Sequence, residues 1–570
     1  MSPVEPSNSF RSKLGLAAAV LGCLCTTLLV IVPVIVFASN ETEFSAGLVS
    51  MLRHVVLPLC LMVAIGALLL AALPEILYRT LVAILLALLV LVYLQGSFML
   101  WDYGVFDGQR IQWQDFARQG YIDATIWVIV LTSAVIFQRR LLRWHKPILI
   151  FLGLVFGLNL ITAIAGKDLK YLSVPRPRGT DTLYSFSAEH NFIVIILDAF
   201  SSPGFEAVLK NSPELRQTFS GFTFYPNTLA AFSTTAPSIP GLLSGMEYDN
   251  TETMRSFLKR ALGERSLPAV LERNGYQVNV MSLPQLCPHL GQPCISLGRV
   301  VAKDAQQEER SELLELLDVT LFRSLPQVLK KPLYRNQRWF LQRLLSDGGS
   351  PRPLFDTVRF VDAFERNANS TASRATFKFL HLMLPHPPYR FDATCTAIEN
   401  TKGNDKKKYE EQATCALHLT ERLLGKLKAL GVYDNSTIVI SADHGYSIHY
   451  LTAQRPKNLP LMEQALPLFL TKLEQANTQD PMAISHVPGR LTDLPRTIAD
   501  ILKINADLPG ESILKLQDSS PRMRSYRNYG WNNKLWHRDY MPTMYEFHIN
   551  GDARDPAAWQ PGPVLAAPGK

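Results

Sequence analysis

Three apolar runs in this sequence end in side chains able to hold a metal ion or polarise a bond. Phe192-Ile193-Val194-Ile195-Ile196-Leu197 runs into Asp198. The run 377–384 leads into Pro385, His386 and Pro387, and the run 437–441 into Ala442, Asp443, His444 and Gly445. One such aspartate is often a helix cap or a core-rim residue. Three such ends in one sheet point to a shared site, because ligands of open α/β sheets bind beyond the carboxyl ends of the strands. Asp198, Asp443 and His444 form a mixed oxygen and nitrogen donor set suited to Zn²⁺ or Mn²⁺. Between the first two runs lies Ser233-Thr234-Thr235-Ala236-Pro237-Ser238-Ile239-Pro240-Gly241-Leu242-Leu243-Ser244-Gly245. Its local reading is a Pro/Gly loop with N-cap hydroxyls. His386, and His449 five residues past His444, are candidates for moving a proton or touching a bound substrate. Their alternative is an ordinary core or surface histidine. Tyr389 joins His386 as a candidate substrate contact.

The elements that must position these residues alternate in type. The run before Asp198 is β-rich and continuously apolar, as in a buried parallel strand. Further strands are expected at Gln277–Ser282, 377–384, 437–441 and 466–470, with helices at 266–274 and 409–430 leading into two of them. That rhythm predicts an α/β domain with a mostly parallel central sheet. The stretch 306–346 breaks it, beginning acidic and turning basic and amphipathic. It reads as a helical surface insertion or a membrane-facing amphipathic helix.

The N-terminal region obeys another rule. A helix crossing the hydrocarbon core needs about 20 apolar residues. The stretches 14–38, 55–73, 80–100, 121–137 and 147–164 qualify, the fourth with one Asp at its margin. The first run is too long for a cleaved signal peptide, and four more follow. Arg139, Arg140, Arg143 and Lys146 crowd the loop between the fourth and fifth runs, which assigns that loop to the cytoplasm. Counting back puts Arg11, Lys13 and the N-terminus inside. Counting forward puts everything after 166 outside. The loop 101–120, with Trp101, Tyr103 and Trp113, then lies outside, as an interfacial aromatic belt or a lid beside the soluble domain.

The 570-residue chain thus divides into a transmembrane region (residues 1–166), a Pro- and Arg-bearing linker 167–190, a soluble α/β domain 191–520 and a C-terminal extension 521–570. The extension is rich in Tyr, Trp, Arg and His and reads as folded, with 561–570 expected to be loose. Of seven cysteines, Cys23, Cys25 and Cys60 lie in apolar spans. Cys287, Cys294, Cys395 and Cys415 lie in the soluble region, where two disulfides suit an oxidising compartment. Cys287–Cys294 with Cys395–Cys415 is the simplest of the three connectivities. The net charge of +8 does not signal nucleic acid, because no Lys/Arg stripe interleaves with aromatics. A transporter is disfavoured by spans almost free of ionisable residues.

The order strand–Asp, hydroxyl loop, Asp-His-Gly resembles the sulfatase branch of the alkaline phosphatase superfamily. In sulfatases the loop reads Cys-x-Pro-x-Arg, followed by a small residue and Gly. Here it reads Thr235-x-Pro237-x-Ile239, then Ser244-Gly245. That register puts Thr235 at the nucleophile position, with Thr234 and Ser233 as fallbacks. The nucleophile is not the Cys or Ser that becomes formylglycine, and Ile239 stands where sulfatases carry Arg. A threonine behind five spans is similar to the lipoteichoic acid synthases and the lipid A phosphoethanolamine transferases. Many of the latter continue Asp-His-Gly with Glu, where this chain has Tyr446.

The resemblance implies a membrane-bound transferase that moves a phospholipid head group through a threonine intermediate to a cell-surface glycan or lipid. Asp198, Thr235, Asp443 and His444 would hold one divalent ion, Zn or Mn. The setting would be the plasma (inner) membrane, with the catalytic domain periplasmic or extracellular. The rivals are a phosphodiesterase or sulfuric ester hydrolase, and an inert lipid-binding regulator of envelope biogenesis. Metal stoichiometry separates enzyme from regulator. An acceptor requirement separates transferase from hydrolase.

Overall fold

The computed structural model describes residues 9–40, 44, 46–103, 111–165, 180–283, 286–290, 294–300, 305–335, 339–345, 352–398, 405–451, 460, 462–518, 522–530 and 539–568. Most of the expected linker 167–190 lies outside the described residues, as do Trp531, Trp536 and His537 of the extension. The chain forms two compact units, one from 1–177 with 302–351, the other from 178–301 with 352–570.

The first unit holds five helices long and apolar enough to cross a membrane: α1 (Phe10–Ser39), α2 (Leu48–Ala71), α3 (Glu75–Phe98), α4 (Trp113–Ile136) and α5 (His145–Ile164). Within α1 a π-helical segment, Thr27–Ile31, precedes Pro33. Proline lacks the amide that would continue the ladder, so the wider turn absorbs the missing bond. The stretch expected as an insertion is helical and belongs to this unit. It forms helices Ala305–Ser324, Gln327–Tyr334 and Phe340–Leu345. Glu309 accepts from the Ser50 hydroxyl at 2.7 Å and Glu312 from the Ala46 amide at 2.8 Å. Arg323 donates to the Gly96 carbonyl at 3.0 Å. Asp123, the acid at the margin of the fourth run, is fully buried and accepts from Gln95, from the Trp101 indole and from the Gln327 amide. Tyr103 and Trp113 pack with Phe322 and Tyr334. The aromatic loop is therefore a seat for the insert.

The second unit is built on an eight-stranded sheet. Its strands are β1 (Asn191–Leu197), β2 (Thr223–Phe224), β3 (Gln277–Ser282), β4 (Cys294–Ser296), β5 (Thr376–Leu382), β6 (Ser436–Ser441), β7 (Phe469–Lys472) and β8 (Ala483–Ile484). The spatial order is β8-β2-β7-β6-β1-β5-β3-β4. Strands β4, β3, β5, β1 and β6 run parallel, and β7 returns antiparallel to β6. The expected strand at 466–470 is thus shifted to Phe469–Lys472, and its direction was not readable from its apolar residues. Every residue of β1 is buried, with apolar clusters on both faces.

Two helices matter for the site, α6 (Thr235–Ser244) and α7 (Asp405–Ala429). Three C-terminal strands, β9 (Met523–Asn528), β10 (Met544–Asn550) and β11 (Trp559–Leu565), form a separate antiparallel sheet. The expectation that 561–570 is loose is corrected over 561–565, where Tyr545 and Phe547 of β10 pair with Val564 and Pro561. Both disulfides take the local connectivity, Cys287–Cys294 and Cys395–Cys415.

Candidate active site

Adjacent parallel strands bring their carboxyl ends side by side, and β1 and β6 are neighbours in register. Asp198 follows one and Asp443-His444 the other. One ligand atom from each of Asp198, Asp443 and His444 falls within 4.8 Å of the others, and all three residues are buried. Ala199, with φ of +60°, turns the chain sharply after Asp198. Non-glycine residues rarely occupy that region, and such turns recur where a side chain must be aimed. The turn is held by the Ala199 amide donating to Asp443 Oδ1 at 3.1 Å and by the Tyr409 hydroxyl donating to the Ala199 carbonyl at 3.1 Å.

Among the described residues, three buried polar atoms here find no hydrogen-bond partner: Asp198 Oδ1, Asp443 Oδ2 and His381 Nδ1. Two fully buried carboxylates with unpartnered oxygens are costly unless a cation completes them. The donor set therefore fits a divalent metal. Burial alone would raise the Asp198 carboxyl. His386, His381 and His444 more than offset that and hold it below the usual aspartate value.

His444 is prepared to donate through one nitrogen. Its Nδ1 lies 2.6 Å from the Gly445 carbonyl, so Nδ1 carries the hydrogen and the Nε2 lone pair is free. Nε2 faces Thr235 Oγ1 at 3.4 Å. Gly445 has its own reason. A Cβ there would sit 1.9 Å from the Glu463 carbonyl oxygen, so only glycine fits.

Thr235 is the first residue of α6 and is half-buried. Thr234 is the N-cap in extended conformation, yet its side chain makes no capping bond. Its hydroxyl pairs with the Tyr529 hydroxyl. Pro237 has no amide, so Thr235 and Ala236 supply the first-turn donors, aimed at whatever anion approaches the helix start. Ile239, where sulfatases carry Arg, is fully buried among apolar side chains. Of the fallback nucleophiles, Thr234 is committed to Tyr529 and Ser233 is buried.

His386 and Tyr389 sit on the loop after β5. Gln412 of α7, fully buried, pins that loop with all its bonding capacity. Its Oε1 accepts from the Arg390 and Phe391 amides, and its Nε2 donates to the Pro385 and His386 carbonyls. His386 Nδ1 approaches the Pro387 carbonyl at 2.5 Å, leaving Nε2 as the working nitrogen. Tyr389 is buried, its ring against Tyr409. His449 is exposed, with Nδ1 3.3 Å from Glu463 Oε1. Glu463 is buried and accepts from the Tyr450 and Leu451 amides, fixing the segment that bears His449.

Sequence reasoning missed His381, whose Nε2 lies 3.2 Å from Asp198 Oδ2. It also missed Gln412 and Glu463, which carry no motif.

The family model described as Sulfatase matches residues 190–504. The chain belongs to the sulfatase family. The chain is therefore an enzyme of the sulfatase superfamily, with a mostly parallel α/β sheet and, ahead of it, five helices long and apolar enough to cross a membrane. Among curated proteins, none matches the chain. Among solved structures, the phosphonate monoester hydrolase of Silicibacter pomeroyi is 15% identical, with TM-score 0.39, covering 65% of this chain and 88% of that one. The lipoteichoic acid synthase LtaP of Listeria monocytogenes is 13% identical, with TM-score 0.38, covering 65% and 87%. The C-terminal periplasmic domain of EcEptC from Escherichia coli is 14% identical, with TM-score 0.36, covering 60% and 91%.

Proposed function

We propose that this protein is a metal-dependent phosphoryl-group transferase that takes a head group from a phospholipid onto Thr235 and passes it to a surface glycan or lipid. The observation that carries the reading is the juxtaposition of a helix-start threonine hydroxyl with His444 Nε2 and two buried, incompletely partnered carboxylates. An inert regulator would have no reason to retain such a costly cluster. The mixed carboxylate and imidazole set favours Zn or Mn. Asp198, Asp443, His444 and Thr235 would hold the ion, which when bound lowers the hydroxyl pKa and polarises the phosphoryl oxygen.

The remaining chemistry belongs to the chain. Thr235 Oγ1, attacking as the alkoxide, forms a bond to phosphorus as the P–O bond to the glyceride breaks, and it leaves as the same alkoxide in the second half. The departing oxygen takes a proton from His386 Nε2. In the second half, His386 takes the proton of the acceptor hydroxyl as that oxygen displaces Thr235. The amides of Thr235 and Ala236 face the charge that builds on the phosphoryl group. Tyr389 and His449 border the path of donor or acceptor. The basic loop between α4 and α5 supports a cytoplasmic N-terminus and an external catalytic unit, and the two disulfides agree with that side.

The test uses the full chain in liposomes with labelled phosphatidylethanolamine and phosphatidylglycerol. Wild type is expected to release head group and to gain one head-group mass per chain. Thr235→Ala and chelated wild type are each expected to lose at least about 10³-fold in rate, on the scale of removing a nucleophile. Undiminished release by Thr235→Ala sinks the reading. Release that needs no acceptor other than water moves the assignment to a hydrolase.

A further inference from the structure

The C-terminal sheet grips α6 at both ends. At its start, Arg527 of β9 exchanges backbone bonds with the nucleophile loop, its amide donating to the Ala231 carbonyl at 2.9 Å and its carbonyl accepting from the Ser233 amide at 3.2 Å. Beyond its end, the Arg527 guanidinium pairs with Glu247 and Glu546. Tyr529, two residues past Arg527 and buried, reaches the hydroxyl of Thr234. No motif or family feature assigns a task to this tyrosine.

Thr234 has the backbone of an N-cap and a side chain of a type that normally caps. Its usual target three residues on is Pro237, which has no amide. The one first-turn amide left for it is that of Ala236, next to Thr235. A threonine hydroxyl bonded there would occupy a donor that the transferred phosphoryl oxygen needs. Burial raises the Tyr529 phenol above its usual range, so it keeps its proton, and its hydroxyl holds Thr234 Oγ1 whichever of the two donates.

We infer that Tyr529 is a positioning residue that holds the Thr234 hydroxyl off the helix start, keeping the Ala236 amide free for the anionic group transferred at Thr235. This rests on Thr235 being the nucleophile. The proposal makes a prediction that a purely structural contact does not: removing the tyrosine hydroxyl releases Thr234 to cap, and removing the threonine hydroxyl as well undoes the damage.

The experiment compares wild type, Tyr529→Phe, Thr234→Val, the double variant and Thr235→Ala as full chains in liposomes. It reads head-group release, inhibition by inorganic phosphate, and thermal unfolding. Tyr529→Phe is expected to lose about tenfold in kcat, with phosphate inhibition weakened by a similar factor, in line with one competing cap bond. Thr234→Val and the double variant are expected within about threefold of wild type in both readouts. A double variant as slow as Tyr529→Phe, or slower, overturns the inference, because additive loss is what packing damage gives. If Tyr529→Phe unfolds, Thr234→Val decides alone: a tenfold loss there overturns the inference. An inactive Thr235→Ala beside a fully active Tyr529→Phe removes this inference and leaves the nucleophile standing. An active Thr235→Ala removes both.

Discussion

At the scale of single residues, the site depends on a few atoms being denied other partners. His444 spends Nδ1 on its neighbour's carbonyl and so presents Nε2. Asp443 spends Oδ1 on two backbone amides, of Ala199 and of His444 itself, and keeps Oδ2 uncommitted. Gly445 makes this geometry possible by letting the Glu463 backbone pass within a distance no side chain tolerates. Gly445→Ala is therefore expected to displace His444 and to strip the metal. Elemental analysis after dialysis should find less than about a tenth of the wild-type content, with unfolding several degrees lower, since forcing a carbon into filled space costs roughly 1–3 kcal/mol. A variant that retains full metal and activity would show that the close approach is relieved elsewhere. Asp198, Asp443 and His444 could be singled out in the sequence because they follow patterned strands, and Thr235 only through the register of the resemblance. His381 could not, because within the strand Thr376–Leu382 it looks like one more residue of a buried strand. Its role depends on the partner strand it lies beside.

At the scale of elements, α7 is the bracket for the loop after β5. It holds that loop twice, through Gln412 and three residues later through the Cys415–Cys395 disulfide. Gln412→Glu keeps the acceptor for the Arg390 and Phe391 amides and loses both donors to the Pro385 and His386 carbonyls. It also buries a charge against two carbonyl oxygens, a change on the order of 2–4 kcal/mol. The expected result is a fall in kcat of about tenfold or more with metal content unchanged, because His386 shifts while the strand ends stay put. An unaltered kcat would mean that the disulfide alone sets the loop. The helix 409–430 was readable from its apolar spacing, but its glutamine was not, since a buried amide in a helical pattern gives no signal until its four partners are known. Four of the five parallel strands were readable from their β-rich runs, while the three-residue β4 was not. The reversal at β7 was not, because apolar residues do not encode direction.

At the scale of the whole molecule, the segment 302–351 leaves the α/β sequence and joins the membrane helices. Its residues Leu316, Phe322 and Tyr334 are buried there, and Glu309, Glu312 and Arg323 are bonded to α2, to the chain just before it and to α3. A chain starting at residue 178 would carry that segment without its seat. It is expected to self-associate in detergent-free buffer, and co-expression with residues 1–177 is expected to restore a single species. Light scattering behind a sizing column checks both, and a monodisperse chain from 178 alone would show that the segment refolds against its own unit. The sequence marked 306–346 as out of rhythm and left its destination open, because nothing local in it records contacts made more than 200 residues away.

The same connectivity orders events at the ribosome. Asp123 is synthesised with α4, while Gln327, whose amide it accepts, follows 204 residues later. At about 5–20 residues per second that interval is roughly 10–40 s. Throughout it the membrane helices present an unfinished docking surface, and by the time it closes β1, α6 and β3 have already been synthesised. The first unit thus completes its fold only after part of the second has been made.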